Sequence, residues 1–342
     1  MRNHRSRVAG VTRTFGLLAA FALLTLASVP ARAQPPLPAP ALDDLVSAVV
    51  GVKTFINADA RTAENLGHER QGSGIVLDDD GLVVTVGYLM VEAYAAQVVT
   101  QAGRTVSATI VGYDHETGFG LLRAVSPLKV KPMALGKSAA LRQSDPAVFA
   151  GTGGMLAPVN VVSLREFAGS WEYLLERAIF TMPPLPNWSG AALISRDGKL
   201  VGVGSLIVGD ARARGASTPG NMFIPIDLLA PILADLIADG RVTGATPPWL
   251  GVAAEEKLGD LVVARVTAGG PAERAGIQRG DRIVGVGGAP ATGLADFYRK
   301  LRAVGAAGAT VPLDVAVQGG ATRRIDVQSI NRLDHLKLKS TL

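Results

Sequence analysis

A serine among small residues, Ser189, lies in the segment NWSGAAL (187–193). Three prolines precede this segment and a hairpin signal, ISRDGKLVGV (194–203), follows it. A serine presented in this way can act as a nucleophile in acyl transfer if a general base takes its proton and an acid orients the base. Ser and Gly also fill ordinary tight turns for backbone reasons. On these residues alone both interpretations stay open.

The composition is that of a globular protein and leaves few options for cofactor chemistry. The chain has 342 residues, of which 48% are hydrophobic and 18% charged, so it predicts two folded domains and no extensive disorder. It contains no cysteine, which excludes disulfides, thiol catalysis and thiolate metal sites. The sequence has no metal-binding motif and no phosphate-cradling loop. We therefore expect neither a metal nor another cofactor.

The first 33 residues have the organisation of a secretory signal peptide. Residues 1–13 are rich in arginine, 15–29 form an apolar run, and Ala31-Arg32-Ala33 resembles a cleavage site. A retained membrane anchor is the alternative, although the apolar run is short for a span. We expect cleavage, export to a bacterial periplasm, and no membrane span in the mature chain. A Pro-rich leader, 34–41, should follow in an extended conformation.

The signal segment also accounts for the positive charge of the chain. Five of the 34 Lys and Arg residues lie in positions 1–33, so 29 remain and equal the 29 Asp and Glu residues. The remaining sequence has no basic patch of the kind that binds nucleic acid. We therefore expect no nucleic-acid partner.

Two folded units are expected after the leader. Residues 42–242 contain many short β-rich runs separated by Gly-containing turns, which is typical of a closed or packed all-β domain. The stretch 226–240 has helical spacing and ends at Gly240, the position of a C-cap. A linker, 243–248, leads to a second unit of mixed strands and helices, 249–332, and a tail, 333–342.

The second unit resembles a PDZ domain, because its run VTAGGPAERAGIQRGDRIVGVGG (266–288) is similar to the family's central motif. The resemblance implies that Trp249, Leu250, Gly251 and Val252 form the loop that binds a peptide carboxylate through clustered backbone N–H groups. It also implies that the adjoining strand edge accepts the peptide as an added strand. Apolar residues at helical spacing would line the groove or simply pack the core: Leu294, Tyr298 and Leu301.

The first unit resembles the trypsin-like protease domain of the Deg/HtrA family, over about residues 42 to 242. Five blocks carry the resemblance in the family's order: GSGIVLDDDGLVVTVGYLMVEA (72–93), VGYDHETGFGLLRA (111–124), LGKSAALRQSDPAVFAGTGG (135–154), PLPNWSGAALISRDGKLVGV (184–203) and MFIPID (222–227). The implied fold is mostly β, a chymotrypsin/trypsin-like double β-barrel followed by a PDZ domain, itself a partly open barrel.

The resemblance places Ser189 at the family's nucleophile. The positions of the catalytic histidine and aspartate are occupied by Tyr88 and Gly118. A phenol titrates near ~10 and is a poor base at neutral pH, and glycine cannot orient anything. The oxyanion turn, formed by Asn187, Trp188 and Ser189, departs from the family's Gly-Asn-Ser as well.

Other bases are conceivable but have no support from their sequence context. His115 lies three residues before the aspartate position, where it reads as a turn residue with no group to orient it. A Ser-Lys pair would need a nearby lysine, and the candidates Lys137 and Lys199 suit solvated positions.

The sequence thus predicts a degenerate-triad member, a pseudoprotease that binds unfolded or C-terminal peptide segments of envelope proteins as a scaffold or chaperone-like factor in protein quality control. An active serine-type endopeptidase that uses Ser189 with a non-standard base is the alternative. A homo-oligomer and an active homologue both stay open as partners. The tail DHLKLKSTL (334–342) is itself a hypothetical ligand of the PDZ groove.

Overall fold

The computed structural model describes residues 39–317 and 321–338. The predicted signal peptide, most of the leader and the last four residues of the tail lie outside the described residues. The end of the leader is helical, because helix α1 (Ala39–Ser47) already includes Pro40. Proline is tolerated in a first helical turn, whose N–H groups have no intrahelical acceptor.

The first barrel is closed by six antiparallel strands in the order β1-β2-β3-β6-β5-β4. Buried residues alternate with more exposed ones along most of the strand Thr105–Tyr113, whereas all five residues of the strand Leu82–Val86 are buried. The elements are β1 (Val49–Ile56), α2 (Ala63–Leu66), β2 (Glu69–Val76), β3 (Leu82–Val86), β4 (Ala93–Val99), β5 (Thr105–Tyr113) and β6 (Phe119–Ala124).

The second barrel also has six strands, closed in the order β10-β11-β12-β9-β8-β7. They are β7 (Pro146–Gly151), β8 (Met155–Gly169), β9 (Tyr173–Met182), β10 (Ala192–Ile194), β11 (Leu200–Val208) and β12 (Gly220–Pro225). One hydrophobic cluster joins the interiors of both barrels with the helix that follows β12. The predicted double β-barrel is therefore confirmed.

The helix at the end of the second barrel is shorter than the sequence predicts. A 3₁₀ turn covers Ile226–Leu228, and helix α3 covers only Leu233–Asp239. Pro231 lies between them and lacks the N–H that a continuous helix would need. Gly240 ends α3 in the left-handed conformation, with φ 71°.

Strands β8 and β9 form a hairpin that is longer than the short runs recognised in the sequence. Their pairing continues past the body of the barrel, through Phe167 with Leu175, to Gly169 with Tyr173. We call residues 169–174 the hairpin tip. The tip packs against the C-terminal unit, which explains why its residues do not follow the alternation of a barrel strand.

The C-terminal unit is a six-stranded antiparallel sheet with helices packed on it. It contains β13 (Val252–Lys257), β14 (Asp260–Val266), α4 (Pro271–Arg274), β15 (Arg282–Val286), β16 (Ala289–Pro290), α5 (Leu294–Val304), β17 (Thr310–Ala316), β18 (Thr322–Gln328) and α6 (Arg332–His335). Helix α5 contains the three apolar residues that the sequence places at helical spacing, Leu294, Tyr298 and Leu301, and all three are buried. Within 39–317 and 321–338, no helix is long and apolar enough to cross a bilayer.

Glu92 joins the C-terminal segment to the first barrel. It is only 2% exposed, and its carboxylate accepts hydrogen bonds from the N–H groups of Arg61, Thr62 and Lys337 and from the Thr62 hydroxyl. Burial alone would raise the pKa of Glu92, but these donors outweigh burial and lower it. The ionised carboxylate therefore stabilises the folded chain above its unfolded pKa, and this stabilisation is lost as the pH falls through the lower folded pKa.

Replacing the Glu92 carboxylate tests whether these hydrogen bonds stabilise the fold. Glu92→Gln should reduce the free energy of unfolding by about 1–3 kcal/mol at pH 7, because buried donors lose a charged acceptor. The loss should shrink as the pH falls below 4.5, the ordinary pKa of glutamate, toward the lower folded pKa, since the wild-type carboxylate then becomes protonated as well. Urea denaturation across this range measures both effects. Glu64→Gln, at an exposed position of α2, is the control. Equal losses in the two variants would contradict a stabilising role of the Glu92 hydrogen bonds.

Candidate functional site

The turn that carries Ser189 is fixed by contacts between the two barrels. The N–H of Ser73 in β2 donates to the Ser189 carbonyl oxygen over 2.7 Å, and the Gly190 N–H donates to the Gly204 carbonyl over 2.8 Å. Gly190 has φ +73°, and a Cβ there would lie 1.9 Å from the Ser73 carbonyl oxygen. Only glycine fits this position, so the chain places the serine on a turn with one available conformation.

Tyr88 contacts the serine directly. A short 3₁₀ turn after β3, Gly87–Leu89, positions Tyr88 so that its Oη lies 2.7 Å from Ser189 Oγ and 2.8 Å from the Ser205 carbonyl oxygen. A carbonyl only accepts and a phenol has one proton, so Tyr88 donates to Ser205 and accepts from Ser189. Burial raises the pKa of Tyr88 to about 12. The neutral phenol is thus a hydrogen-bond bridge without the basicity to remove the serine proton.

The space beside Gly118, which a side chain there would occupy, is taken by Tyr173. Gly118 has φ +84°, and a Cβ on it would lie 2.8 Å from Tyr173 Oη. Tyr173 comes from β9 and donates to the Thr117 carbonyl oxygen over 2.7 Å. Asp114, the carboxylate at the start of the same turn, accepts from the Thr117 N–H and hydroxyl. A side chain at position 118 would therefore meet the Tyr173 hydroxyl.

The turn around Ser189 keeps some features of an oxyanion site. Asn187 adopts a left-handed conformation, with φ 56°, and is exposed. Within the described residues, neither the Asn187 N–H nor the Ser189 N–H donates a hydrogen bond. Trp188 is half-buried against the core of the second barrel. These residues border an open cleft of about 450 Å³ that is also lined by Gly51, Val52, Lys53, Gln71, Gly72, Val99 and Thr152.

The other candidate bases from the sequence, His115, Lys199 and Lys137, have surroundings of their own. Arg332 donates to His115 Nε2, which also lies 3.2 Å from the Glu172 carbonyl oxygen, and His115 Nδ1 lies 2.9 Å from the Tyr113 hydroxyl. Burial and Arg332 hold the pKa of His115 well below its usual value. Lys199 pairs with Asp197 over 3.2 Å. Lys137 is exposed, and together with Lys199 it lines a surface pocket other than the cleft at Ser189.

Lys53 lines the cleft beside Ser189, and the sequence did not single it out. Its Nζ lies 2.8 Å from Glu69 Oε1 and above the Phe55 ring. The ammonium is thus engaged with the Glu69 carboxylate in an exposed ion pair. Among the described residues, no group of three or more His, Asp or Glu side chains could hold a metal ion.

The loop that precedes β13 has the clustered N–H groups expected of a carboxylate-binding loop, and these groups already hold a carboxylate. Glu172 Oε2 accepts from the Leu250 N–H over 3.0 Å, and Oε1 accepts from the N–H groups of Gly251 and Val252 over 2.7 and 2.8 Å. Burial raises the pKa of Glu172 to about 7 against the opposing effect of these donors and of Arg332. The carboxylate comes from the hairpin tip of the protease-like unit.

The remaining predicted groove residues are buried around this contact. Leu294 and Leu301 lie in the core of the C-terminal unit, in the same cluster as Leu174 from the hairpin. Tyr298 donates from its hydroxyl to the Gly169 carbonyl oxygen over 2.8 Å. The Trp249 ring packs against the His335 ring, with centroids 4.9 Å apart.

Sequence reasoning missed Glu172 and Tyr173. Their partners lie far along the chain, since Glu172 bonds Gly251 across 79 residues and Tyr173 bonds Thr117 across 56. No local periodicity reports such long-range contacts. The one usable signal is the polar interruption GSWE (169–172) between two apolar runs, which indicates a turn but does not identify its partner.

Comparisons with known proteins agree with this architecture. A trypsin-like peptidase domain is matched over residues 72–203 and a PDZ domain over residues 262–317. The serine protease PepD of Mycobacterium tuberculosis is 28% identical over 327 residues, covering 88% of this chain and 68% of PepD. The periplasmic pH-dependent serine endoprotease DegQ of Escherichia coli is 25% identical over 339 residues, covering 88% of this chain and 73% of DegQ.

A solved structure supports the fold alone. The HtrA-type protease AlgW, determined with a decapeptide, superposes with a TM-score of 0.51 at 22% sequence identity. The match covers 85% of this chain and 98% of AlgW. The sequence-based expectation of a trypsin-like unit followed by a PDZ unit is therefore confirmed.

A pair of glycine substitutions tests whether Tyr173 fills the space beside residue 118. Gly103→Ala, at φ +80° with open space around it, should reduce the free energy of unfolding by ~1 kcal/mol through backbone strain alone. Gly118→Ala should lose about 1–3 kcal/mol more, because its Cβ meets Tyr173 Oη. Urea denaturation measures both. In a Tyr173→Phe background the extra loss should shrink, and an unchanged loss would contradict the steric assignment.

Proposed function

The chain belongs to the HtrA/Deg family of trypsin-like peptidases with PDZ domains, and from that premise we propose that it is a catalytically inactive member that works by binding other proteins. Its partners would be unfolded or C-terminal segments of envelope proteins. The β-barrel unit would then serve as a scaffold or a chaperone-like surface in protein quality control, alone, as a homo-oligomer or beside an active homologue.

The observation that carries the proposal is the hydrogen-bond bridge through Tyr88. Acyl transfer requires a group that takes the Ser189 proton and returns it to the leaving amine. Tyr88 Oη lies where it would receive that proton, at 2.7 Å, yet burial raises its pKa to about 12. A phenol of that pKa stays protonated at neutral pH and keeps its own proton on the Ser205 carbonyl.

The missing orienting group adds to this loss. In a serine protease a carboxylate fixes the tautomer of the base and stabilises its protonated form. Here Tyr173 Oη takes the space beside Gly118. An oxyanion site and substrate binding without a base account for only ~10³–10⁴-fold acceleration over water. That acceleration is too small for a working endopeptidase.

An exported location supports the binding role. The signal peptide predicted from residues 1–33 would direct the chain across a membrane, and the relative DegQ is named as a periplasmic protein. We propose that this chain acts in the same compartment.

The alternative is an active serine endopeptidase with an unrecognised base. Two observations favour it. Ser189 stands on a fixed turn with the N–H groups of Asn187 and Ser189 unbonded within the described residues. The relatives PepD and DegQ are named serine proteases.

Covalent labelling of the purified chain separates the two functions. A fluorophosphonate probe reacts with an activated serine, so we expect no labelling of the wild type above that of Ser189→Ala at pH 7 to 8, because no base removes the Ser189 proton. Hydrolysis of unfolded casein should likewise be the same for both proteins. Trypsin serves as the positive control. Labelling and casein cleavage that disappear in Ser189→Ala would establish the endopeptidase and overturn the proposal.

A further inference from the structure

The hairpin tip meets the PDZ unit through the carboxylate of Glu172. Three backbone N–H groups in succession, those of Leu250, Gly251 and Val252, donate to its two oxygens at 2.7 to 3.0 Å. These donors belong to the loop before β13, where a peptide's C-terminal carboxylate would be bound. Glu172 and the loop residues Leu250 and Val252 are all buried.

The backbone of the tip behaves as an added strand beside β13. One edge of β13 pairs with β14. At its other edge the Ala254 N–H donates to the Ser170 carbonyl oxygen over 3.1 Å. Val252 and Ala254, two residues apart, thus both direct their N–H groups toward the tip, as alternate residues of a strand do for a neighbouring strand.

Helix α5 and an apolar anchor complete the contact. The Tyr298 hydroxyl donates to the Gly169 carbonyl oxygen over 2.8 Å and accepts from the Glu172 N–H over 3.1 Å. Leu174 is 3% exposed and lies in the same hydrophobic cluster as Leu250 and Leu301. Carboxylate, strand backbone and apolar side chain are the three components with which a peptide fills a PDZ groove.

The conformation of Glu172 also indicates that its side chain matters at this position. Its φ is 59°, in the left-handed region that favours glycine and costs other residues about 1 kcal/mol or more. A glycine at the tip would avoid that strain but would leave three buried N–H groups without an acceptor. The carboxylate compensates for the strained backbone.

We propose that the PDZ groove of this chain is filled by its own hairpin tip, residues 169–174, with the Glu172 carboxylate in the place of a peptide C-terminus, so that an external C-terminal peptide binds only after the tip has left. This inference rests on the proposed use of the groove for peptide carboxylates. It concerns how that site is controlled.

Competition follows from the geometry. The three N–H donors are all used by Glu172, and a second carboxylate in the same loop would be close to the first. One of the two carboxyl groups would then be buried without hydrogen-bond donors. Tip and peptide therefore exclude each other. Exposed ion pairs of the hairpin with Arg299, formed by Glu166 and Glu176, lie outside the groove.

The test compares peptide binding by the full chain and its variants. The probe is an equimolar pool of fluorescein-labelled octapeptides that end in Val, Leu, Ile or Phe with a free carboxylate, followed by fluorescence anisotropy. Glu172→Ala should bind the pool at least tenfold more tightly than the wild type. Glu172→Gln, which keeps the size of the side chain, should fall between them. The amidated pool should bind none of the proteins.

Glu176→Ala is the matched control, because it removes an exposed ion pair between the same hairpin and Arg299 of α5, which contributes little, and leaves the three donors bound to Glu172. It should bind the pool as the wild type does. Hydrogen exchange of the segment 249–254 supplies a readout that needs no peptide. These amides should exchange at least tenfold faster in Glu172→Ala than in the wild type or Glu176→Ala, while the barrel strands keep their protection.

The outcomes separate this inference from the proposed function. Equal tight binding by wild type and Glu172→Ala would overturn the internal ligand and leave the peptide-binding role intact. Faster exchange confined to Glu172→Ala, with no peptide bound by any protein, would support the internal ligand and count against the peptide-binding role. Unchanged exchange together with no binding would overturn both.

Discussion

The arrangement of this chain depends on one buried carboxylate. A charge that leaves water needs full hydrogen bonding, and Glu172 obtains it from three consecutive backbone N–H groups of the PDZ unit. The surrounding groups adapt to that charge. Arg332 approaches from α6, His115 is held neutral, and the Tyr298 hydroxyl satisfies both the Gly169 carbonyl and the Glu172 N–H. The two units are therefore joined by a polar contact that is specific in geometry.

The same hairpin serves the two unusual sites of the molecule. Its tip supplies Glu172 to the PDZ loop, and the next residue, Tyr173, supplies the ring beside Gly118. The protease-like site and the peptide groove are consequently linked by adjacent residues of one strand.

Sequence reasoning reaches the fold because local patterns and ordered motifs encode it. Alternating apolar residues and Gly-containing turns give the barrel strands, and the spacing of Leu294, Tyr298 and Leu301 gives α5. The positions of Ser189, Tyr88 and Gly118 follow from motif order, and Tyr88 contacts Ser189 in the structure. The length of the β8–β9 hairpin and the role of Glu172 do not follow, because both depend on contacts with the distant PDZ unit. Pro231 indicates that α3 starts later than residue 226, but the helical spacing of the residues around this proline favoured a longer helix.

Tyr173 also restricts which residues can occupy position 118. Histidine at position 88 and aspartate at position 118 would match the family's catalytic residues, but the aspartate Cβ would lie 2.8 Å from Tyr173 Oη. The ring that blocks it precedes Leu174, which is anchored in the core of the other unit. An aspartate at position 118 would therefore also require a change at position 173, beside the residue that anchors the hairpin in the other unit. The residue at position 118 and the contact between the two units consequently depend on adjacent residues of β9.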